Sequence, residues 1–255
     1  MPMYEESIRS EFTHQTESFA RNEVATKAET LGALVELVPE DPEARWLETA
    51  CGPAAISRSM AARVNRVHGV DLTPSMVEKA ATEAEAAGIG NAEFSVGDAT
   101  ALEFEDACFD GAVTRFSLHH IPAPARVVAE MARVVRPGGW VILSDFIADP
   151  DRDVYAAVEE IERLRDPSHW SCLTAEQLRR IGADFGLELE SERLIPFDLD
   201  YEDWLQRGSG GPAAAELIDE LLERLTEGSG CFRVYEGESG RRLALVNSLT
   251  RWRRV

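Results

Sequence analysis

The residues best suited to chemistry gather at the ends of short apolar runs. In Arg45-Trp46-Leu47-Glu48-Thr49 the acid Glu48 interrupts a strand that otherwise reads as buried. An unpaired carboxylate there is costly, so Glu48 is expected to meet a cation or a donor-rich ligand. The run continues into small residues, Ala50-Cys51-Gly52, and then into a helix opening at Pro53-Ala54-Ala55. Small residues at a strand-to-helix turn admit a ligand close to the backbone, and a helix start offers free N–H groups to an anionic end. Proline fits just inside a helix, where its missing N–H would have no partner. A second acid, Asp71, closes Val67-His68-Gly69-Val70-Asp71, about 20 residues further on, the distance at which a second strand end offers a carboxylate to ribose hydroxyls. Asp98 follows a third run in Gly97-Asp98-Ala99, where it also suits a plain turn. A fourth run leads into Thr114-Arg115-Phe116-Ser117-Leu118-His119-His120. Metal chemistry is not suggested: no Asp–Asp–Asn set is apparent, and Cys51, Cys108, Cys172 and Cys231 are never at metal spacing.

Periodicity supplies the elements that would position these groups. Residues 5–37 read as an amphipathic helix, closed by the loop Pro39-Glu40-Asp41-Pro42-Glu43. Strands are expected at 45–50, 66–71, 92–96, 109–114 and 139–146. Helices are expected at 53–64, from Thr73-Pro74 to Gly88 with Thr73 as N-cap, and from Ile121-Pro122 to Val135, where Arg136-Pro137-Gly138-Gly139 stops it. Such alternation implies a parallel sheet with helices on both faces. Residues 148–173 break the pattern as a charged insertion over the carboxyl ends of the strands, with a helix at 150–165 and the tail Asp166-Pro167-Ser168-His169-Trp170. Thr174 and Gln177 then make a capping box for a helix to Ala183. A strand at 187–197, helices near 201–206 and 212–226, and a last strand at 243–252 complete the chain. A single domain over 1–255 is expected, divided into a leading helix to 40, a core at 41–147, the insertion at 148–173 and a C-terminal part at 174–255.

The run Trp46-Leu47-Glu48-Thr49-Ala50-Cys51-Gly52-Pro53-Ala54 resembles the first motif of the class I S-adenosylmethionine (SAM)-dependent methyltransferases, with Ala50 and Ala54 where glycine is commoner. The stretch from Thr114 to Pro122, with Val134-Val135-Arg136-Pro137-Gly138-Gly139-Trp140, resembles the small-molecule branch that holds the ubiquinone/menaquinone-type enzymes. The likeness is close over residues 45–147 and loose beyond them. It implies an α/β, Rossmann-like sheet of seven strands, mostly parallel, with the last strand antiparallel between the fifth and sixth. It implies a leading helix that lies over the cofactor as a lid, SAM as methyl donor and S-adenosylhomocysteine as product. Asp71 would take the ribose diol, Leu72 and Met76 would flank the adenine, and Asp98 and Ala99 would meet its amino edge. Glu48, Ala50 and Gly52, with the backbone of Arg115 and Phe116, would serve the methionine end. Methyl transfer from a sulfonium is an in-line displacement, so the protein mainly aligns an acceptor and excludes water. A base is needed only for a nucleophile that must lose a proton. The candidates are His120, then His119, then His169, with His14 a further possibility. The acceptor is expected between Phe12, His14, Gln15 and Phe19 of the lid, Trp170 of the insertion, and Phe197, Trp204 and Tyr235 beyond it.

Bulk properties narrow the partners. The 255 residues carry 46 acidic and 26 basic side chains, a formal net charge of −20, which argues against a nucleic-acid binder. The short basic end Arg251-Trp252-Arg253-Arg254 reads as an exposed last strand or tail. No apolar run is long enough to span a membrane, the N-terminus lacks a leader pattern, and the scattered cysteines read as reduced thiols. The expectation is a cytoplasmic enzyme with a small-molecule partner and no Mg²⁺ requirement. Three rivals stand beside it. One is a protein of this fold that binds SAM but catalyses another step, such as a cyclisation. Another is an NAD-type dehydrogenase, against which the first turn lacks Gly-x-Gly-x-x-Gly. The third is a non-catalytic binder, against which Asp71 and Asp98 are intact. The acceptor, the atom methylated and the oligomeric state are not specified by these residues.

Overall fold

The computed structural model describes residues 2–21, 28–223, 225 and 230–255, with side chains for 6–15, 30–223, 225 and 230–255. In chain order the strands are β1 (Asp41–Thr49), β2 (Val64–Asp71), β3 (Ala92–Val96), β4 (Phe109–Arg115), β5 (Val135–Phe146), β6 (Leu187–Asp200), β7 (Phe232–Gly237) and β8 (Gly240–Arg254). They form one sheet in the order β3-β2-β1-β4-β5-β8-β6, with β7 paired to β8. The first five strands pair in parallel, and β8 runs antiparallel to both β5 and β6. The order reverses between β1 and β4, and in open α/β sheets a ligand crevice forms beyond the carboxyl ends of the strands at such a point.

The helices are α1 (Pro2–Arg21), α2 (Ala28–Glu36), α3 (Ala55–Met60), α4 (Pro74–Ala86), α5 (Pro124–Val134), α6 (Arg152–Arg165), α7 (Ala175–Asp184), α8 (Tyr201–Arg207) and α9 (Gly211–Leu222). The central strands are buried on both faces, which is why they read as near-continuous apolar runs. On one face Trp46, Val113 and Ile142 meet Leu34 and Val38, near α2, and Ile56 and Met60 of α3. On the other, Leu47, Ala112, Val141 and Leu143 meet Val127, Val128 and Met131 of α5 and Leu178 of α7. Trp46 lies flat across Gly111, where a Cβ would come within 2.4 Å of the indole.

Four expectations need correction. The single leading helix is two, α1 and α2, and residues 22–27 between them lie outside the described residues. The first crossover helix opens at Ala55, not Pro53, and gives way after Met60 to a 3-10 turn over Ala61–Arg63. An eighth strand, β7, joins the seven: it makes a hairpin with β8 in which Gly237 pairs with Gly240. Where β5 leaves β8 at the Phe146–Asn247 pair, β7 takes up the same side at the Phe232–Leu245 pair. Finally, the basic end is an interior strand, not an exposed one. Trp252 is 2% exposed and lies against Gly182, while Arg251 and Arg253 stack on Trp140 and Arg254 donates to the carbonyls of Arg133 and Val135.

The insertion is built to return to the strand ends. Asp151 caps α6 by accepting from the N–H groups of Asp153 and Val154, and the helix stops at Asp166, which Pro167 forces into an extended conformation. The chain then folds back, with the N–H groups of Trp170 and Ser171 donating to the His119 carbonyl and that of Ala148 to the Leu173 carbonyl.

Candidate active site

A cavity of about 340 Å³ opens at the carboxyl ends of β1 to β4. It is lined by Glu48, Ala50 and Gly52 at the end of the first strand, by Asp71, Leu72 and Met76 at the end of the second and beyond it, by Asp98 and Ala99 after the third, and by Arg115 and Phe116 at the end of the fourth. In the turn after β1, Ala50, Gly52 and Ala54 all take positive φ, at 49°, 51° and 58°. Left-handed backbone is strained by roughly 1–2 kcal/mol for a residue with a Cβ, which accounts for the commonness of glycine at the two alanine positions. The same backbone keeps Pro53 outside the helix and makes Ala54 its N-cap.

Glu48 finds its donors inside the protein. It is 3% exposed, and its Oε2 accepts from the N–H of Ser57 at 2.8 Å and from the Ser57 hydroxyl. Burial pushes its pKa up to about 7, against the Ser57 bonds and the charges of Arg115 and Arg58. Asp71 ties the first two turns together: one oxygen accepts from the N–H of Gly52 at 2.8 Å, the other from that of Thr73 at 2.9 Å. Burial raises its pKa, and these two amides oppose the rise. A carboxylate has about four acceptor sites, so both oxygens can still take ligand hydroxyls. Asp98 makes the turn such a residue favours, its Oδ1 accepting from the N–H and hydroxyl of Thr100 at 2.8 Å each, and it also lines the cavity.

Phe116 marks the inner wall. Its φ of 52° is unusual for a bulky residue, and strain of this kind collects at functional sites. Its N–H donates to the Ser144 carbonyl at 2.8 Å, its ring stacks on Phe146 at 4.3 Å, and the Arg115 guanidinium lies 4.2 Å over it. Phe116 and His120 line both this cavity and a smaller chamber of about 50 Å³ behind it. The chamber also takes in Gln15 of α1, His119, Phe146, Asp166, His169 and Cys172, and closes on Leu199, Trp204 and Leu245.

Three buried histidines face one another here, each held through one nitrogen. His119 Nδ1 is 2.6 Å from Asp145 Oδ1, and its backbone N–H donates to Asp145 Oδ2 at 3.2 Å. His120 Nδ1 is 3.1 Å from the hydroxyl of Ser168, which itself donates to Asp166. His169 Nε2 is 3.3 Å from Glu159 Oε2. Burial opposes a charge on His119, but Asp145, with Glu162 and Asp166, outweighs it and the pKa is raised. The pKa of His120 is pushed well down, by burial and by the neighbouring charge of His119. Two adjacent imidazoles are thus driven apart in proton affinity.

The lid side is tied down by polar contacts. The Phe12 ring meets His120 edge-on at 4.9 Å, Gln15 donates to Asp166 at 3.2 Å and to Glu11, and Ser209 donates to Glu11. Of the expected acceptor residues, Phe12 lines the main cavity, and Gln15 and Trp204 line the chamber. Phe197 packs behind the Phe116–Phe146 stack, at 6.1 and 5.5 Å. His14 and Trp170 are exposed and Tyr235 stacks under Arg233; none of them lines either space. The side chain of Phe19 lies outside the described residues. Sequence reasoning missed Asp145, Asp166 and Ser168. Asp145 carries the same signal as Glu48, an acid in the apolar run Val141-Ile142-Leu143-Ser144-Asp145-Phe146. Glu159, His169 and Cys172 bring possible metal donors within 4.8 Å of one another, but the Glu159 oxygens already accept from His169, Arg163 and the N–H of Cys172. That mixed set is not the oxygen shell that Mg²⁺ takes.

Comparison with known proteins bears on this geometry. Residues 47–143 match a family model described as a methyltransferase domain. The uncharacterized methyltransferase YcgJ of Bacillus subtilis is 28% identical over 231 residues, 90% of this chain and 91% of that one. Its crystal structure superposes with a TM-score of 0.81 at 25% identity, over 89% of this chain and 98% of that one. A demethylmenaquinone methyltransferase of Bacillus cytotoxicus is 33% identical over 128 residues, 49% of this chain and 52% of that one. A geranyl diphosphate methyltransferase solved in complex with SAM shares the fold, with a TM-score of 0.61 at 18% identity over 91% of this chain and 85% of that one.

Proposed function

We propose that this chain, a class I SAM-dependent methyltransferase, methylates a compact, apolar or natural-product-like small molecule where the main cavity and the inner chamber meet. The observation that carries this reading is the convergence of four strand ends on one cavity, each bringing residues of the expected chemistry. The donor, when bound, supplies a methyl carbon already activated by positive sulfur. Asp71 accepts the ribose hydroxyls from a position fixed by Gly52 and Thr73. Leu72 and Met76 flank the adenine, and Asp98 and Ala99 meet its edge. The left-handed turn at Ala50 and Gly52 lets the methionine end approach the backbone, Glu48 anchors the helix that closes this turn, and Arg115 and Phe116 bound it on the inner side. His120 lines both spaces and serves as the base for an acceptor that must lose a proton. His119 and His169 lie one layer further in. Phe12 and Gln15 of α1 cover the junction and keep water from it.

Among the described residues no helix is long and apolar enough to cross a membrane. The proposed setting is the cytosol, the whole chain acting as one catalytic domain. Titration calorimetry with SAM and S-adenosylhomocysteine tests the cofactor site. Asp71→Ala removes a charged acceptor of hydrogen bonds and weakens both ligands by about 10- to 100-fold, since such bonds are worth roughly 1.5–3 kcal/mol. No heat from the wild-type protein with either ligand overturns the reading. Turnover must release S-adenosylhomocysteine in step with product; product formed without it assigns a different reaction.

A further inference from the structure

We propose that Glu159 of α6, with His169 and Cys172 of the turn that follows the helix, binds one zinc ion, which staples the helix to the turn. The site lies outside the methyl-transfer reaction and does not depend on the acceptor.

Each of the three residues offers one ligand atom, and the three atoms lie within 4.8 Å of one another. The residues are nearly closed to solvent, with Glu159 2%, His169 4% and Cys172 8% exposed. His169 Nε2 stands 3.3 Å from Glu159 Oε2. That is long for a hydrogen bond to a carboxylate, which draws in to about 2.7–2.9 Å when charge assists it. It matches the separation of two ligands on a tetrahedral zinc, about 3.3 Å for bonds of about 2.0–2.1 Å. The other ring nitrogen, Nδ1, is buried without a hydrogen-bond partner, so protein groups alone satisfy this imidazole poorly. His169 and Cys172 are two residues apart in the gap His169-Trp170-Ser171-Cys172, a spacing by which one turn brings two ligands to a common ion. Backbone bonds fix that turn: the His169 N–H donates to the Asp166 carbonyl at 2.9 Å, and the Cys172 N–H donates to Glu159 Oε1 at 2.8 Å.

The donor chemistry selects the ion. A thiolate, an imidazole and a carboxylate suit zinc, whereas magnesium and calcium take oxygen shells. Charge also balances: thiolate and carboxylate cancel the two charges of the ion, and a neutral imidazole adds none. The complex is then neutral where an uncompensated charge is costly. On binding, the S–H bond of Cys172 breaks, its proton passes to solvent, and the electron pair left on Sγ forms the bond to zinc. His169 stays neutral, with its hydrogen on the nitrogen that the ion does not take. Water completes the tetrahedron. Entry is from the surface. Arg163, which donates to Glu159 Oε2 at 3.2 Å, has a side chain 51% exposed, and such a pair opens at little cost. The net charge of −20 raises the local concentration of cations. The pinned turn also carries Asp166 and Ser168, which hold Gln15 and His120, so the ion steadies the chamber wall without entering the reaction.

The full chain, stripped with a chelator, is titrated with Co²⁺ and then with Zn²⁺ in a buffer containing excess Mg²⁺. The expected result is one equivalent of Co²⁺ showing a thiolate charge-transfer band and the intense visible bands of a tetrahedral ion, displaced by one equivalent of Zn²⁺. Cys172→Ser should abolish the charge-transfer band. Glu159→Gln should weaken zinc by about 100-fold or more, since loss of an outer partner alone costs about 10- to 100-fold. Cys108→Ser and Cys231→Ser, at half-buried thiols outside the cluster, should change neither readout. Circular dichroism and melting temperature report that each variant is folded. Should Cys172→Ser or Glu159→Gln fail that control, X-ray absorption by the zinc-loaded wild type decides. One sulfur at about 2.3 Å with nitrogen and oxygen neighbours at about 2.0–2.2 Å supports the site, and a shell without sulfur overturns it. Absence of the tetrahedral spectrum, a charge-transfer band that survives Cys172→Ser, or weak uptake of several ions that no variant alters overturns it as well. None of these outcomes touches the methyltransferase reading.

Discussion

Glu48 and Asp145 are acids placed in apolar strands, and each resolves its burial differently. Glu48 takes the third amide and the hydroxyl of α3 through Ser57, nine residues later in the chain, and so fixes the turn that carries Ala50 and Gly52. Asp145 takes the ring and backbone of His119, twenty-six residues earlier. The need for donors was legible from residue type alone. Which donors answered was not, because contacts across the sheet leave no periodic trace in one sequence. The histidines show the same limit: three could be named, but their unequal proton affinities come from burial, from Asp145 beside His119 and from the charge of His119 beside His120. Glu48 also sets a pH dependence. Burial holds its folded pKa at about 7 against a usual 4.5, so over that window the folded chain binds this proton more tightly than the unfolded chain does. Stability from this group therefore falls as pH rises from about 4.5 to about 7. Glu48→Gln removes the titration. The melting temperature of the variant minus that of the wild type should climb across this window and then level off, as followed by thermal unfolding at constant ionic strength. A difference that stays flat would place the buried proton elsewhere.

At the scale of elements, the alternation of strand and helix was readable because parallel strands buried on both faces are apolar throughout and their crossover helices are amphipathic. The errors fall where backbone and residue type disagree. Ala54 and Ala55 are strong helix formers, yet the turn after β1 needs a left-handed residue at 54, so helix α3 starts one residue beyond it. β7 lies just beyond the glycines of 228–230 and has no long alternating run of its own; it forms because β8 outlasts β5 and offers a free edge. The lid is an element whose role depends on a few contacts. Gln15 is 2% exposed and joins α1 to Asp166, beside the Glu11–Ser209 bond and the Phe12–His120 contact. Gln15→Ala leaves a buried acceptor short of a donor, worth about 1–3 kcal/mol, so the population with α1 lifted should rise several-fold or more. Limited trypsin digestion followed by mass spectrometry should then show faster cleavage after Arg9, and S-adenosylhomocysteine should slow it again. Unchanged cleavage would mean that α1 is held by its apolar face alone.

Across the whole molecule, the chamber draws on residues 15, 116–120, 146, 162–172, 199–207 and 245, brought together by α1, the end of β4, β5, the insertion, β6, α8 and β8. No window of sequence contains such a site, whereas the cofactor crevice lies at successive strand ends and can be read in order. Charge is the other property of the whole. With 46 acidic against 26 basic side chains, the folded chain concentrates a net charge of −20, and self-repulsion of that kind weakens the compact state. Many basic groups are already committed, Arg136 to Asp110, Arg133 to Glu130 and Asp106, and Arg241 to Glu202 and Asp219. What is left over is mostly negative and exposed, where salt acts most strongly. Raising ionic strength from about 0.01 to about 0.15 M shortens the screening length from about 30 to about 8 Å, which relieves repulsion between distant charges more than it weakens pairs in contact. The melting temperature should therefore rise over this range, by a few degrees and by the same amount for sodium and potassium chloride. A fall would show that the ion pairs outweigh the net field, and an effect specific to one cation would point to a bound ion in place of screening.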